Sequence, residues 1–172
     1  MRHVTESIAR ELNRVETTDL KESEVWLLSS PLPFPLNWFA KHTWLVTVRP
    51  KEKINRWEVW KSRSRCKTSW GYLHKNLFPP GVGIVQTPWG IFGRFWPAKI
   101  EGKVTGKIAE EMISFIEKST LNYPYRGLYL FWPGPNSNTY VRWIVKHFPH
   151  SGLKLPLRAW GKAFPCYSLA AN

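Results

Sequence analysis

The chain has 172 residues, of which 43% are hydrophobic, so it is long enough to bury one core. Its formal net charge of +13 favours an anionic partner, nucleic acid or lipid headgroups, but no base-reading motif selects between them. Two cysteines exclude a disulfide framework, and no apolar run approaches the ~18 residues that span a bilayer.

Residues 1–20 form a separate segment that we interpret as an N-terminal helical arm. Thr5 can cap a helix over residues 5–16, in which Ile8, Leu12 and Val15 share one face. The segment is charged and lacks the apolar centre of a secretory signal. We therefore expect a cytoplasmic protein, with peripheral contact at a membrane left open.

Residues 21–172 are interpreted as a single domain that contains several short strands. Glu24–Ser30 (EVWLLSS) is typical of a buried strand. Residues 41–48 (KHTWLVTV) and 56–60 (RWEVW) are rich in β-branched and aromatic side chains and predict a β-hairpin. Further strands are predicted at Val82–Gln86 and Ile91–Trp96.

Two helices are predicted in the second half of the chain. Thr105–Ser119 has an apolar stripe at helical spacing, formed by Ile108, Met112, Phe115 and Ile116. A second helical pattern follows Asn136. Gly127–Trp132 (GLYLFW) predicts a strand that leads into this second helix. Because helices and strands do not alternate regularly, the fold class expected is α+β: a small antiparallel sheet with packed helices.

The stretch FWPGPNSNTYVRWIV, residues 131–145, places Ser137 in the first turn of that second helix. Free backbone N–H groups and the positive end of the helix dipole lie at such a position and favour a negative oxygen. A nucleophile there would be assisted. The alternative is that Asn136 or Ser137 only caps the helix.

The strings HTWLVTV, RWEVW, YPY and WPGPNSNTY resemble a family of bacterial proteins whose function is unknown. The resemblance covers residues 24–162. It implies no activity.

A more remote resemblance, to circularly permuted papain-like proteins of the NlpC and lecithin:retinol acyltransferase type, implies a chemistry. In those proteins a His opens a strand, a polar partner lies on the next strand, and a Cys nucleophile opens a late helix. Here His42, Glu58 and Ser137 occupy these places, with Ser in place of Cys. The resemblance implies that His42 is the base, that Glu58 orients it, and that Asn136 or Asn138 helps to hold an oxyanion.

Other candidates are weaker. Cys66 lies among Arg63, Arg65 and Lys67, which would lower the pKa of its thiol, or it is an inert thiol in a basic loop. His147 and His150 lack a nearby acidic or Cys ligand, so neither a metal site nor a cofactor is predicted.

Two functions follow as hypotheses. The first is a Ser/His-dependent hydrolase or acyltransferase on an acyl or amide substrate, or a degenerate relative of one on a papain-like scaffold. The second is a basic binding module for nucleic acid or an anionic membrane surface, in which the motif only shapes the fold. The sequence defines neither the substrate nor the oligomeric state.

Overall fold

The computed structural model describes residues 20–32, 35–85 and 94–165. The helices and strands within these ranges are β1 (Glu24–Pro31), a 3-10 turn (Leu36–Trp38), β2 (Lys41–Val48), β3 (Asn55–Val59), β4 (Ser69–Trp70), β5 (Leu73–Lys75), β6 (Val82–Val85), β7 (Arg94–Pro97), β8 (Lys99–Thr105), α1 (Gly106–Asn122), α2 (Ser137–His147) and a second 3-10 turn (Pro149–Ser151). The predicted helix at 5–16 and the start of the predicted strand at Ile91 lie outside the described residues.

Six of the strands form one antiparallel sheet in the order β4-β5-β3-β2-β1-β8, and β6 pairs with β7 in a separate ribbon. The predicted hairpin is confirmed, since β2 and β3 are antiparallel neighbours with Leu45 opposite Trp57. Ser30 at the end of β1 lies opposite His42 at the start of β2. The α+β class is therefore confirmed.

Both faces of the sheet are covered by apolar side chains. Alternate residues of a strand point to opposite faces, so β2 contributes Leu45 to one face and Trp44 and Val46 to the other. The larger cluster includes Leu45, Trp57 and the inner faces of both helices. The smaller cluster contains Trp26, Leu28, Trp44, Val46, Val48 and Ala98. Burial on both faces fixes the register, because a one-residue slip would exchange the two sets.

Helix α1 confirms the helix predicted at 105–119, although its buried face differs in detail. Ile108, which the stripe predicted to be buried, is 37% exposed. Met112 and Ile116 of the predicted stripe are buried, together with Ala109, Ile113 and Ser119. Arg49, at the end of β2, contacts Glu110 and Glu117 on the outer side of α1.

The strand predicted at 127–132 is wrong, and this stretch has irregular structure. Its backbone groups bond locally: the Leu128 N–H donates to Tyr125, and the Leu130 N–H donates to Pro135. Pro133 and Pro135 have no N–H group that could bond to a neighbouring strand. The turn that they form brings the Pro135 carbonyl to the Leu130 N–H. The apolar side chains of Leu130, Phe131 and Trp132 are consequently exposed.

No helix in the described part of the chain is long and apolar enough to cross a membrane.

Candidate active site

Asn136 caps α2 and fixes where the helix begins. Its side-chain oxygen accepts hydrogen bonds from the backbone N–H groups of Asn138 (2.9 Å) and Thr139 (3.3 Å). The Thr139 hydroxyl in turn accepts from the Asn136 N–H at 3.1 Å, which completes a capping box. This reciprocal pair makes Ser137 the first residue of the helix.

Two glycines allow the chain to pack against this cap. Gly134 has φ +120° and Gly161 has φ +88°, values that favour glycine. A Cβ on Gly161 would lie 2.2 Å from the Asn136 amide nitrogen, and one on Gly134 would lie 2.8 Å from the Thr139 hydroxyl. The tail at Gly161 and the turn at Gly134 therefore both enclose the start of α2.

Asn138 ties the start of α2 to the start of β2. Its amide nitrogen donates to the carbonyls of Lys41 (2.9 Å) and Trp160 (2.7 Å). Its oxygen accepts from the Thr43 hydroxyl at 2.7 Å. Because Lys41 and Thr43 flank His42, these bonds set the distance between His42 and Ser137.

The structure brings Ser137 and His42 together from positions 95 residues apart. His42 Nδ1 lies 2.8 Å from Ser137 Oγ, within hydrogen-bond reach. Both residues are buried, with 6% of each exposed. The Ser137 hydroxyl can donate to His42 Nδ1 when that nitrogen carries no proton.

Glu58 holds the other side of the His42 ring. Its Oε2 lies 2.8 Å from His42 Nε2, and the carboxylate is completely buried. An Nε2–H that donates to Glu58 leaves Nδ1 free to accept from Ser137. Alternation along β3 permits Glu58 to face either side of the strand, and the structure places it inside, in contact with His42.

Arg56 is a member of the site that sequence reasoning missed. Its Nη2 donates to Glu58 Oε2 at 2.8 Å, and its Nε lies 2.7 Å from Glu58 Oε1. Nη1 donates to the carbonyls of Pro79 and Val82, and the guanidinium lies 4.1 Å from the centre of the Trp44 ring. The available signal was the spacing, because residues 56 and 58 lie on the same face of a strand.

Aromatic rings enclose the imidazole. Trp44 stacks on His42 with a centroid separation of 5.5 Å, and Trp60 meets it edge-on at 5.2 Å. These rings limit the rotation of His42 and exclude water from its sides. Contacts between charged or polar groups are stronger in such a poorly solvated environment.

The protonation states of the site follow from burial and from the two neighbouring charges. Burial lowers the pKa of His42 below 6.5, although the Glu58 carboxylate opposes that shift. Burial alone would raise the pKa of Glu58, but Arg56 and His42 together hold it below its ordinary value. At neutral pH the geometry therefore combines a neutral His42 with an ionised Glu58.

Asn136 and Asn138, the residues expected to help hold an oxyanion, have their amide N–H groups directed elsewhere. Asn136 donates to Phe131 and Trp160, and Asn138 donates to Lys41 and Trp160. Their side chains position the helix. Among the described residues no acceptor is found for the Ser137 backbone N–H, which is the donor left at the first turn.

Cys66 and the late histidines lie outside this cluster. The Cys66 thiol is exposed; what burial it has opposes ionisation, but hydrogen bonds with Ser69 and Thr68 together hold its pKa below the ordinary value. The basic neighbours are not the cause, contrary to expectation. His147 Nδ1 contacts the Trp143 carbonyl, and no group of three metal-binding side chains occurs in the described ranges.

Comparison with known proteins gives one match. The model of a family described as "Protein of unknown function (DUF3750)" matches residues 24–164. No curated protein and no solved structure matches the chain. The matched range contains all three residues of the Ser137, His42 and Glu58 cluster.

Proposed function

The chain belongs to the DUF3750 family, whose description names no activity, and we propose from the site that it is a Ser-dependent hydrolase or acyltransferase. The observation that carries the proposal is the pair of 2.8 Å contacts that link Ser137, His42 and Glu58 in series. A nucleophile, a base and a group that orients the base form the arrangement that acyl transfer requires.

In the proposed reaction Ser137 Oγ attacks the carbonyl carbon of an ester, thioester or amide while His42 Nδ1 takes the hydroxyl proton. Glu58 stabilises the resulting imidazolium through Nε2, and Arg56 keeps Glu58 ionised. The oxygen of the tetrahedral intermediate binds to the Ser137 backbone N–H at the positive end of α2. His42 then protonates the leaving group, and the acyl group remains on Ser137.

The second half of the reaction regenerates the enzyme. His42 removes a proton from water, or from the hydroxyl or amine of an acceptor, which attacks the acyl carbonyl. The product is an acid in the first case and a new ester or amide in the second. Ser137 leaves as the alkoxide and recovers its proton from His42.

The order of these residues supports a permuted papain-like arrangement. His42 opens β2, Glu58 lies on the adjacent β3, and Ser137 opens the late helix α2. The base contacts the nucleophile through Nδ1 and the carboxylate through Nε2, which is the reverse of Ser-His-Asp hydrolases. The order of the residues concerns the fold, and the choice of ring nitrogens concerns the chemistry. On these two grounds we propose that the chain is related to permuted papain-like proteins.

A fluorophosphonate probe tests the proposal, because it phosphonylates an activated serine and leaves ordinary serines unmodified. We expect one modification, located at Ser137 by peptide mapping and absent from Ser137→Ala and His42→Ala. Ser119→Ala is the matched control: that hydroxyl is also buried but contacts Ile116 and Tyr140. Absence of labelling at Ser137, together with no turnover of aryl esters, thioesters or amides, would contradict the proposal.

A further inference from the structure

The described surface carries a set of large apolar side chains around the start of α2. Six of them, which we call the apolar rim, belong to three separate segments: Trp38, Phe39, Phe131, Trp132, Leu157 and Trp160. Leu157 is 92% exposed, Trp132 68% and Trp38 65%. Side chains of this size are seldom so exposed together unless the surface contacts something.

Hydrogen bonds from the two asparagines that flank Ser137 gather the three segments at the site. The Asn136 amide donates to both Phe131 and Trp160, so it bridges two of the segments. The Asn138 amide donates to Lys41, two residues after Phe39. The Lys41 N–H donates to Arg158, the residue next to Leu157. Two of the three rim segments are therefore bonded directly to Asn136, and the third lies two residues along the chain from Lys41, which is bonded to Asn138.

Unpaired positive charge lies at the end of the sheet where His42 begins β2. Trp60 contacts the His42 ring, and directly after it comes the exposed basic loop that includes Lys61, Arg63, Arg65 and Lys67. None of these four cations has a carboxylate partner among the described residues, and the same holds for the exposed Arg158. This contrasts with Arg49 and Lys103, which do pair with glutamates.

We infer that the apolar rim and the basic loop together form a surface that docks on an anionic lipid bilayer, with the Ser137 site facing the membrane. Trp and Phe side chains favour the boundary between headgroups and acyl chains, and Lys and Arg are attracted to anionic headgroups. Nucleic acid would account for the cations and for the exposed aromatic rings, on which bases stack, but not for an aliphatic side chain as exposed as Leu157. The bilayer accounts for all three.

This surface does not depend on the proposed function, because docking needs no nucleophile. If both hold, the substrate is an acyl group carried by a lipid or another amphipathic molecule at the membrane surface. Ser137→Ala separates the two ideas, since it removes chemistry and leaves the rim and the basic loop intact.

The experiment is cosedimentation of the full chain with vesicles of phosphatidylcholine, with and without phosphatidylglycerol, over a series of salt concentrations. We expect binding to the anionic vesicles, weakening as salt rises, and little binding to the neutral ones. Trp132→Ser/Leu157→Ser and Arg63→Gln/Arg65→Gln should each reduce the partition coefficient by about tenfold or more. Ser137→Ala should bind like the unmodified protein.

Matched control variants change similar side chains at the opposite end of the sheet. Lys51→Gln/Lys53→Gln removes two exposed cations from the turn between β2 and β3, and Ile108→Gln removes an exposed apolar side chain from the first turn of α1. Both should bind like the unmodified protein. Thermal melts verify that each variant is folded, and the single variant Leu157→Ser replaces the apolar double variant if that one does not fold.

Two results would overturn the inference. The first is an absence of binding to the anionic vesicles at low salt. The second has two parts. Vesicle binding falls in the basic-loop variant but stays unchanged in the variants of the apolar rim, and the unmodified protein binds duplex DNA as tightly as it binds anionic vesicles. That pattern would identify a charge-only surface for polyanions.

Discussion

Arg56 and Glu58 are two residues apart on β3, both are completely buried, and their charged groups meet at 2.7 and 2.8 Å. A buried ion pair of this kind is weak support for stability, because desolvation offsets much of the attraction. It does ensure that the carboxylate facing His42 is ionised. We interpret the pair as a device that keeps Glu58 charged inside an aromatic environment.

The Arg56–Glu58 pair predicts a non-additive pattern of stability. Arg56→Met and Glu58→Gln should each lower the free energy of unfolding by about 3–5 kcal/mol, since each removes a partner from a buried charge or polar cluster. The double variant should be less destabilised than the sum, because neither charge remains unpaired. Urea unfolding measures all three. The exposed pair Lys107–Glu111 is the control, and equal additivity in both pairs would contradict the interpretation.

Catalysis by Ser137 should require His42 in its neutral form. Because burial lowers the pKa of His42, kcat/KM should rise with pH and reach its plateau with a midpoint below 6.5. Glu58→Gln removes the anion that supports the imidazolium, so it should reduce kcat by about 10²–10⁴-fold and move the midpoint to lower pH. Stopped assays between about pH 5 and 8 test both effects. A midpoint above 6.5 would show that another group is the base.

The same titration should appear in stability. The unfolded His42 has a pKa near 6.5 and the folded one a lower pKa, so the unfolded chain binds more protons between the two. Stability contributed by the neutral ring is present above pH 6.5 and is lost as pH falls toward the folded pKa. Burial also lowers the pKa of His74, so this residue changes stability with pH in the same direction. Urea unfolding of His42→Gln should depend less on pH than that of the unmodified protein.

Gly161 should be essential to the geometry of the site, since its backbone passes directly over the Asn136 cap. Gly161→Ala combines a left-handed φ of +88° with a Cβ 2.2 Å from the Asn136 amide. Gly152→Ala is the matched control: its φ is +69°, but nothing lies within 4 Å of the added Cβ. We expect the first variant to lose more stability than the second, and to lose activity as well. Equal losses measured by thermal melting would show that φ alone matters.

The grouping of three residues at the site could be predicted from the remote resemblance to permuted papain-like proteins. His42 at the start of a strand, Glu58 on the next strand and Ser137 at a helix start lie close together, as that resemblance implies. The distances could not be predicted, because they depend on long-range bonds such as those from Asn138 to Lys41 and Thr43. A single sequence contains no local sign of such bonds.

The errors have a common physical origin. Apolar composition at 127–132 indicated a strand, yet these side chains are exposed and the backbone turns on itself before Pro135. Arg56 was overlooked because a charged residue in a strand is ordinarily exposed. In both cases tertiary contacts, or their absence, override what composition favours locally. The first error concerns the surface beside the site, and the second concerns the buried Arg56–Glu58 ion pair.

A cysteine in place of Ser137 gives the most direct test of the site, because thiol alkylation reports on the environment without any knowledge of the substrate. In Ser137→Cys, His42 Nδ1 and the first turn of α2 should stabilise the thiolate. Residue 137 should therefore react faster with iodoacetamide at pH 6 than an unfolded control does, and His42→Ala should remove most of that advantage. Cys66→Ser and Cys166→Ser are introduced as well, since the Cys66 thiol has a lowered pKa of its own. Peptide mapping after timed quenching gives the rates.

Thermal melting verifies that the variant is folded under the labelling conditions. If residue 137 then labels no faster than the unfolded chain, the cluster does not activate a nucleophile. The hydrogen bonds that link Ser137 to His42 and His42 to Glu58 would then only fix α2 against the sheet.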